Sequence, residues 1–155
     1  MLLLVVTLSP PALARKKQTF RANLDGFQEV PAISTGGSGE FRARINKEES
    51  AVEVELSYGG LEGTTVTAAH IHLGQPGVAG GIVIPLCGTV GKPACPTPSG
   101  TVTDTLDAGD VVALTGQGIA AGELDEVISA MREGMTYVNV HTNTFPGGEI
   151  RGQIE

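Results

Sequence analysis

The sequence predicts an antiparallel β-sandwich with one short helix. Apolar and polar residues alternate over several short segments, which is the period of a half-buried strand. The 155 residues include 22 Gly but only 2 Tyr, 4 Phe and no Trp, a profile suited to tight turns between short strands. Only one segment carries a helical period. The length fits one domain, and 41% hydrophobic residues are enough for a packed core.

Residues 19–24 alternate as a first strand, and Gly26 to Pro31 turns the chain out of it. Phe41, Ala43 and Ile45 alternate with Arg42, Arg44 and Asn46. Val52, Val54 and Leu56 alternate with Glu53, Glu55 and Ser57. These two segments read as a hairpin around residues 46–50, with Arg42 and Arg44 opposite Glu53 and Glu55, a favourable cross-strand pattern. Residues 66–73 form the next strand, and the glycine-rich stretch 74–81 is a loop. A short apolar strand at 82–86 is expected to end at its proline, and 100–103 gives another. Leu124, Val127, Ile128 and Met131 fall at i, i+3, i+4 and i+7, which predicts a helix over about 123–133. Gly134 stands where a left-handed cap would close it. Residues 135–142 and 149–154 complete a set of seven to nine strands, joined by a turn at 143–148.

All three histidines lie on two of these strands. Alternation puts His70 and His72 on one face, and the strand bearing His141 could supply a third imidazole. Three imidazoles with one open position suit a catalytic-type zinc site or a small copper site. The other reading is a polar cluster in which the histidines hydrogen-bond and hold loops together. Under the metal reading, Tyr137 and Asn139 share His141's face by alternation and could orient an imidazole. Gln28, Glu29, Asn143 and Glu149 are further candidates from turns. Glu149 and Arg151 could pair with each other, or one of them could hold Glu29. Metal affinity would then fall as pH drops through ~6.5, where free imidazoles protonate.

The formal charge is −7, and beyond Lys17 the chain carries 7 basic against 17 acidic residues. Such a surface repels phosphate backbones, so nucleic acid is not an expected partner. Residues 1–14 read as a truncated signal peptide, with an apolar run and a small-x-small site at Ala12-Leu13-Ala14. An ordinary buried segment is the alternative. Residues 15–18 would be a basic tail and 19–155 the domain, secreted or periplasmic, with no later segment apolar enough to span a membrane. In that setting Cys87 and Cys95 should form a disulfide, a thiolate metal pair being the alternative. Asp104, Asp107 and Asp110 could suggest a calcium loop, but they lack the EF-hand pattern and fit a solvated turn.

Several stretches together resemble the CHRD domain, the module named from chordin and present in many secreted bacterial proteins. They are Leu24-Asp25-Gly26-Phe27-Gln28-Glu29-Val30-Pro31, the segment from Ala69 to Gly80, Tyr137-Val138-Asn139-Val140-His141-Thr142, and the segment from Pro146 to Ile154. The resemblance covers about residues 19–154. It implies an all-β, immunoglobulin-like domain outside the cytoplasm and no defined reaction. A growth-factor role is not expected to transfer from chordin, where the module is one repeated part of a larger antagonist. The His-x-His strand is also similar in architecture to copper-type superoxide dismutases, although three histidines are too few for a copper–zinc pair. Three functions follow as expectations. The first is a binding module with a copper or zinc ion and an unknown extracellular protein or small ligand. The second is a mononuclear copper enzyme acting on superoxide or a related oxidant. The third is a structural domain without metal.

Overall fold

A computed structural model describes residues 16–89 and 91–155, so the expected signal segment lies outside the described residues. Among the described residues eight strands form: β1 Thr19–Asp25, β2 Ser38–Ile45, β3 Val52–Gly59, β4 Val66–Leu73, β5 Gly81–Cys87, β6 Gly100–Leu106, β7 Thr136–Thr142 and β8 Ile150–Gln153. One helix, α1 at Leu124–Arg132, precedes β7. The strands make one sheet in the order β5-β4-β7-β8-β1-β2-β3-β6, with every pairing antiparallel. Its end strands β5 and β6 lie against each other, so the sheet is nearly closed. The all-β expectation therefore holds.

Alternation sorts the side chains as expected. Phe20, Ala22 and Leu24 of β1, Phe41, Ala43 and Ile45 of β2, and Val52, Val54 and Leu56 of β3 are all buried. Their neighbours face solvent, and Arg42 pairs in register with Glu55 and Arg44 with Glu53. The helical stripe Leu124, Val127, Ile128 and Met131 is buried whole. Gly134 closes the helix at φ +67°. Its N–H reaches Met131 O at 3.2 Å, and Met135 N–H reaches Ala130 O at 2.9 Å, the paired bonds of a Schellman cap.

β5 does not end at Pro85. It runs on to Cys87 because it is an end strand, paired on one side with β4, where a missing N–H breaks no second ladder. Cys87 and Cys95 form a disulfide that closes the loop after β5. Lys92 in that loop lies 2.6 Å from both Asp104 of β6 and Asp110, which pins the loop across the sheet's seam. Asp107 caps the short turn at Ala108–Asp110. All three aspartates thus have structural partners.

Strands β4 and β7 are neighbours, and this pairing assembles the histidines. Their register sets His72 opposite Tyr137, His70 opposite Asn139 and Ala68 opposite His141. His141 is therefore a diagonal neighbour of His70, within reach of a ring side chain. The β4–β5 ladder shifts register on either side of the His70–Ile71 pair. Such irregularities re-aim side chains beside functional sites.

Candidate metal centre

His70, His72 and His141 each offer one nitrogen, and these three atoms lie within 4.8 Å of one another. Their hydrogen bonds identify which nitrogens. His72 Nδ1 is 3.0 Å from Gly80 O, and His141 Nδ1 is 3.1 Å from Pro146 O. A carbonyl only accepts, so both Nδ1 atoms carry the proton and both Nε2 atoms carry a lone pair. His70 Nδ1 is 3.2 Å from His141 Nε2, and His70 Nε2 is 3.0 Å from Thr89 Oγ1. The inward set is therefore His70 Nδ1, His72 Nε2 and His141 Nε2. Tetrahedral bonds of ~2.1 Å place ligand atoms ~3.4 Å apart, close to the His70–His141 separation.

His72 Nε2 is buried and has no hydrogen-bond partner. A buried acceptor left unsatisfied costs about 1–3 kcal/mol, and a metal ion would occupy that lone pair. His70 and His72 are 5% and 7% exposed. Burial pushes the His70 pKa down to about 4, helped by the His141 and His72 rings. Burial also takes His72 down to about 4, against the Gly80 carbonyl and with His141 and Arg151. Burial holds His141 below the ordinary value as well. All three rings are thus neutral at pH 7, the form that ligates. The sequence expectation of a titration near 6.5 is displaced downward, because burial penalises the imidazolium. The donor set fits copper or zinc, and no thiolate competes, since both cysteines are in the disulfide.

Two of the expected supporting residues stack on the site. Tyr137 lies flat on His72, with ring centroids 4.8 Å apart and an interplanar angle of 10°. The Arg151 guanidinium sits over the Tyr137 ring, 3.4 Å from its centroid. Arg151 also donates to Val78 O at 2.9 Å and Gln75 O at 3.2 Å, and Tyr137 Oη accepts Gly80 N–H at 3.0 Å. The stack grips the 74–81 loop, and that loop's Gly80 carbonyl fixes the His72 tautomer.

Other candidates bond to groups other than the rings. Gln28 Nε2 donates to Asn23 O and Asp25 Oδ2, while Asn143 Oδ1 accepts Thr65 N–H. Glu149 does not pair with Arg151. Its carboxylate takes the hydroxyls of Thr35 and Thr142 and the N–H groups of Glu62 and Gly63. Sequence reasoning missed Thr89, Gly80 O and Pro146 O. Carbonyls have no residue signature, and Thr89 stood out only as part of the loop between the cysteines.

Glu29 meets Asn139, whose Nδ2 donates to Glu29 Oε2 at 3.3 Å. Glu29 Oε1 and Asn139 Oδ1 are both buried without partners. Each lies 2.5 Å from where a Cβ on Gly148 would stand, and Gly148 adopts φ +127°. Burial raises the Glu29 pKa to about 7, against Arg151, the Asn139 amide and the Val30 N–H. A carboxyl raised in the fold stabilises below its unfolded value of 4.5 and loses that contribution as pH rises through 4.5 to 7. Glu29→Gln supplies the missing donor permanently. It is expected to raise Tm at pH 8 and to change it little at pH 5. Equal shifts at both pH values in thermal melts would refute this.

The sequence matches the CHRD domain over residues 20–154, nearly all of the described fold. This chain belongs to the CHRD domain family. No curated protein and no solved structure matches it. All three histidines of the cluster, the Tyr137–Arg151 stack and the disulfide fall inside the CHRD span. None of the described helices is long and apolar enough to cross a membrane.

Proposed function

We propose that this CHRD domain is a secreted or periplasmic binding module that holds one copper or zinc ion on His70, His72 and His141. The observation that carries the reading is His72 Nε2, buried without a partner beside two further inward nitrogens. The disulfide and the extracellular habit of CHRD domains support the compartment. A bound ion would supply Lewis acidity and an open coordination position for a donor atom of a partner protein or small ligand. The protein's own groups hold the rings neutral, fix two tautomers through loop carbonyls, and keep the His72 plane packed against Tyr137.

Metal-free protein titrated with Cu(II) or Zn(II) should bind one equivalent, copper the more tightly. Free ion at 100 times Kd should stabilise by about 2.7 kcal/mol, or roughly 8–10 °C in Tm. His72→Ala should abolish the shift. Unchanged melting of the wild type in excess of both ions would overturn the proposal.

A further inference from the structure

Two of the three rings are held by groups that can only accept. Gly80 O and Pro146 O keep His72 and His141 as Nδ1–H tautomers whatever else happens at the site. His70 differs, because its outer nitrogen faces a hydroxyl, Thr89 Oγ1 at 3.0 Å. A hydroxyl both donates and accepts.

The metal-free bonds assign the His70 proton. His141 Nε2 has no proton to give, so the 3.2 Å contact requires His70 Nδ1–H to donate to it. His70 Nε2 is then the lone pair, and Thr89 O–H donates to it. That tautomer cannot ligate through Nδ1, the nitrogen that faces the other two. We propose that Thr89 is a two-way positioning residue that lets His70 exchange tautomers as an ion enters. This rests on the metal reading above. One proton leaves His70 Nδ1 and one arrives at Nε2, with no net release. The Nδ1 lone pair then faces the ion, and Nε2–H donates to a Thr89 hydroxyl that has rotated to accept.

Several bonds of the described residues flank Thr89. The Cys87–Cys95 disulfide closes it. Gly88 N–H bonds Pro93 O at 2.8 Å, and Lys92 N–H bonds Thr89 O at 3.1 Å. Lys92 anchors the far side through Asp104 and Asp110.

The test uses nitrogen-detected NMR of the imidazoles together with zinc affinity. Metal-free wild type should show His70 as the Nδ1–H tautomer, and saturating zinc should convert it to Nε2–H while His72 and His141 stay Nδ1–H. Thr89→Val should leave the metal-free spectrum of His72 and His141 unchanged, which reports an intact site, yet weaken zinc roughly 10–100-fold, the usual cost of losing an outer partner of a metal-bound imidazole. Thr89→Ser should restore the affinity. His70 found as Nε2–H before metal is added, or Thr89→Val binding zinc as tightly as wild type, would overturn the proposal. Wild type that binds no zinc would instead sink the metal site itself, which separates the two failures.

Discussion

Glu149→Ala is expected to destabilise the domain by roughly 4 kcal/mol. Glu149 is fully buried, at 0% exposure, and none of the described cations pairs with it. Four donors replace a cation. Glu62 N–H at 2.6 Å and Thr35 Oγ1 at 2.8 Å meet one oxygen, and Thr142 Oγ1 at 2.8 Å and Gly63 N–H at 3.1 Å meet the other. Burial alone would raise this carboxyl's pKa. The Glu62 N–H, the Thr142 and Thr35 hydroxyls and the Gly63 N–H outweigh it and hold the group below its usual value. Alanine would strand all four donors, the buried Gly63 N–H and Thr142 hydroxyl at about 1–3 kcal/mol each and the half-buried Glu62 N–H and Thr35 hydroxyl at less. Glutamine would fare little better, since its NH₂ must face a donor. Because the folded carboxyl is depressed, its contribution is complete above pH 4.5 and is lost as pH falls through the folded value. Urea unfolding at pH 7 measures this, and a loss under 1 kcal/mol for Glu149→Ala would refute it. The carboxylate ties the β1–β2 connection, the entry to β4 and the end of β7 into one corner, so it frames the histidine strands without touching a ring.

What the sequence shows of this architecture is whatever is written in local periodicity. The β2–β3 hairpin is legible to its register, because alternation sets the faces and opposed charges choose the pairing. His70 and His72 share a face for the same reason. The convergence of His141 depends on β4 pairing with β7 across more than sixty residues, and no local pattern encodes that. Pro85 misleads because its effect depends on whether the strand lies at the sheet's edge, a property of the whole sheet. The charged pair Glu149 and Arg151 misleads in another way. Two residues on one strand two apart suggest a mutual ion pair, yet loop hydroxyls and amides take the acid while loop carbonyls and the Tyr137 ring take the base. Groups supplied by backbone geometry, such as Gly80 O and Pro146 O, are invisible until the loops are placed.

Zinc affinity is expected to fall far less between pH 7 and pH 5 than three ordinary imidazoles would allow, and this separates a buried site from an exposed His cluster. Protons and metal compete for the same lone pairs, so apparent affinity falls tenfold per pH unit for each ring below that ring's own pKa. Rings titrating at the ordinary ~6.5 would each lose about thirtyfold by pH 5, or four to five decades for three. Burial instead places His70 and His72 at about 4 and holds His141 down in the same direction. Affinity should therefore fall by far less than those four to five decades between pH 7 and pH 5, and the His70 and His72 contributions should be lost only on approach to pH 4. The same depression makes the metal-free fold acid-sensitive. An unfolded chain takes up imidazole protons near 6.5 and the folded one does not, so the histidine contribution is complete above 6.5 and drains away as pH falls toward 4. Glu29 runs the opposite way over 4.5 to 7, but one carboxyl offsets only part of three rings. Chelator competition at pH 7, 6 and 5 reads the first effect, and urea midpoints of metal-free protein read the second. A loss beyond a hundredfold between pH 7 and 5 would mean that water reaches the rings in solution, and with it would go the physical reason for three neutral imidazoles to wait, unprotonated, for an ion.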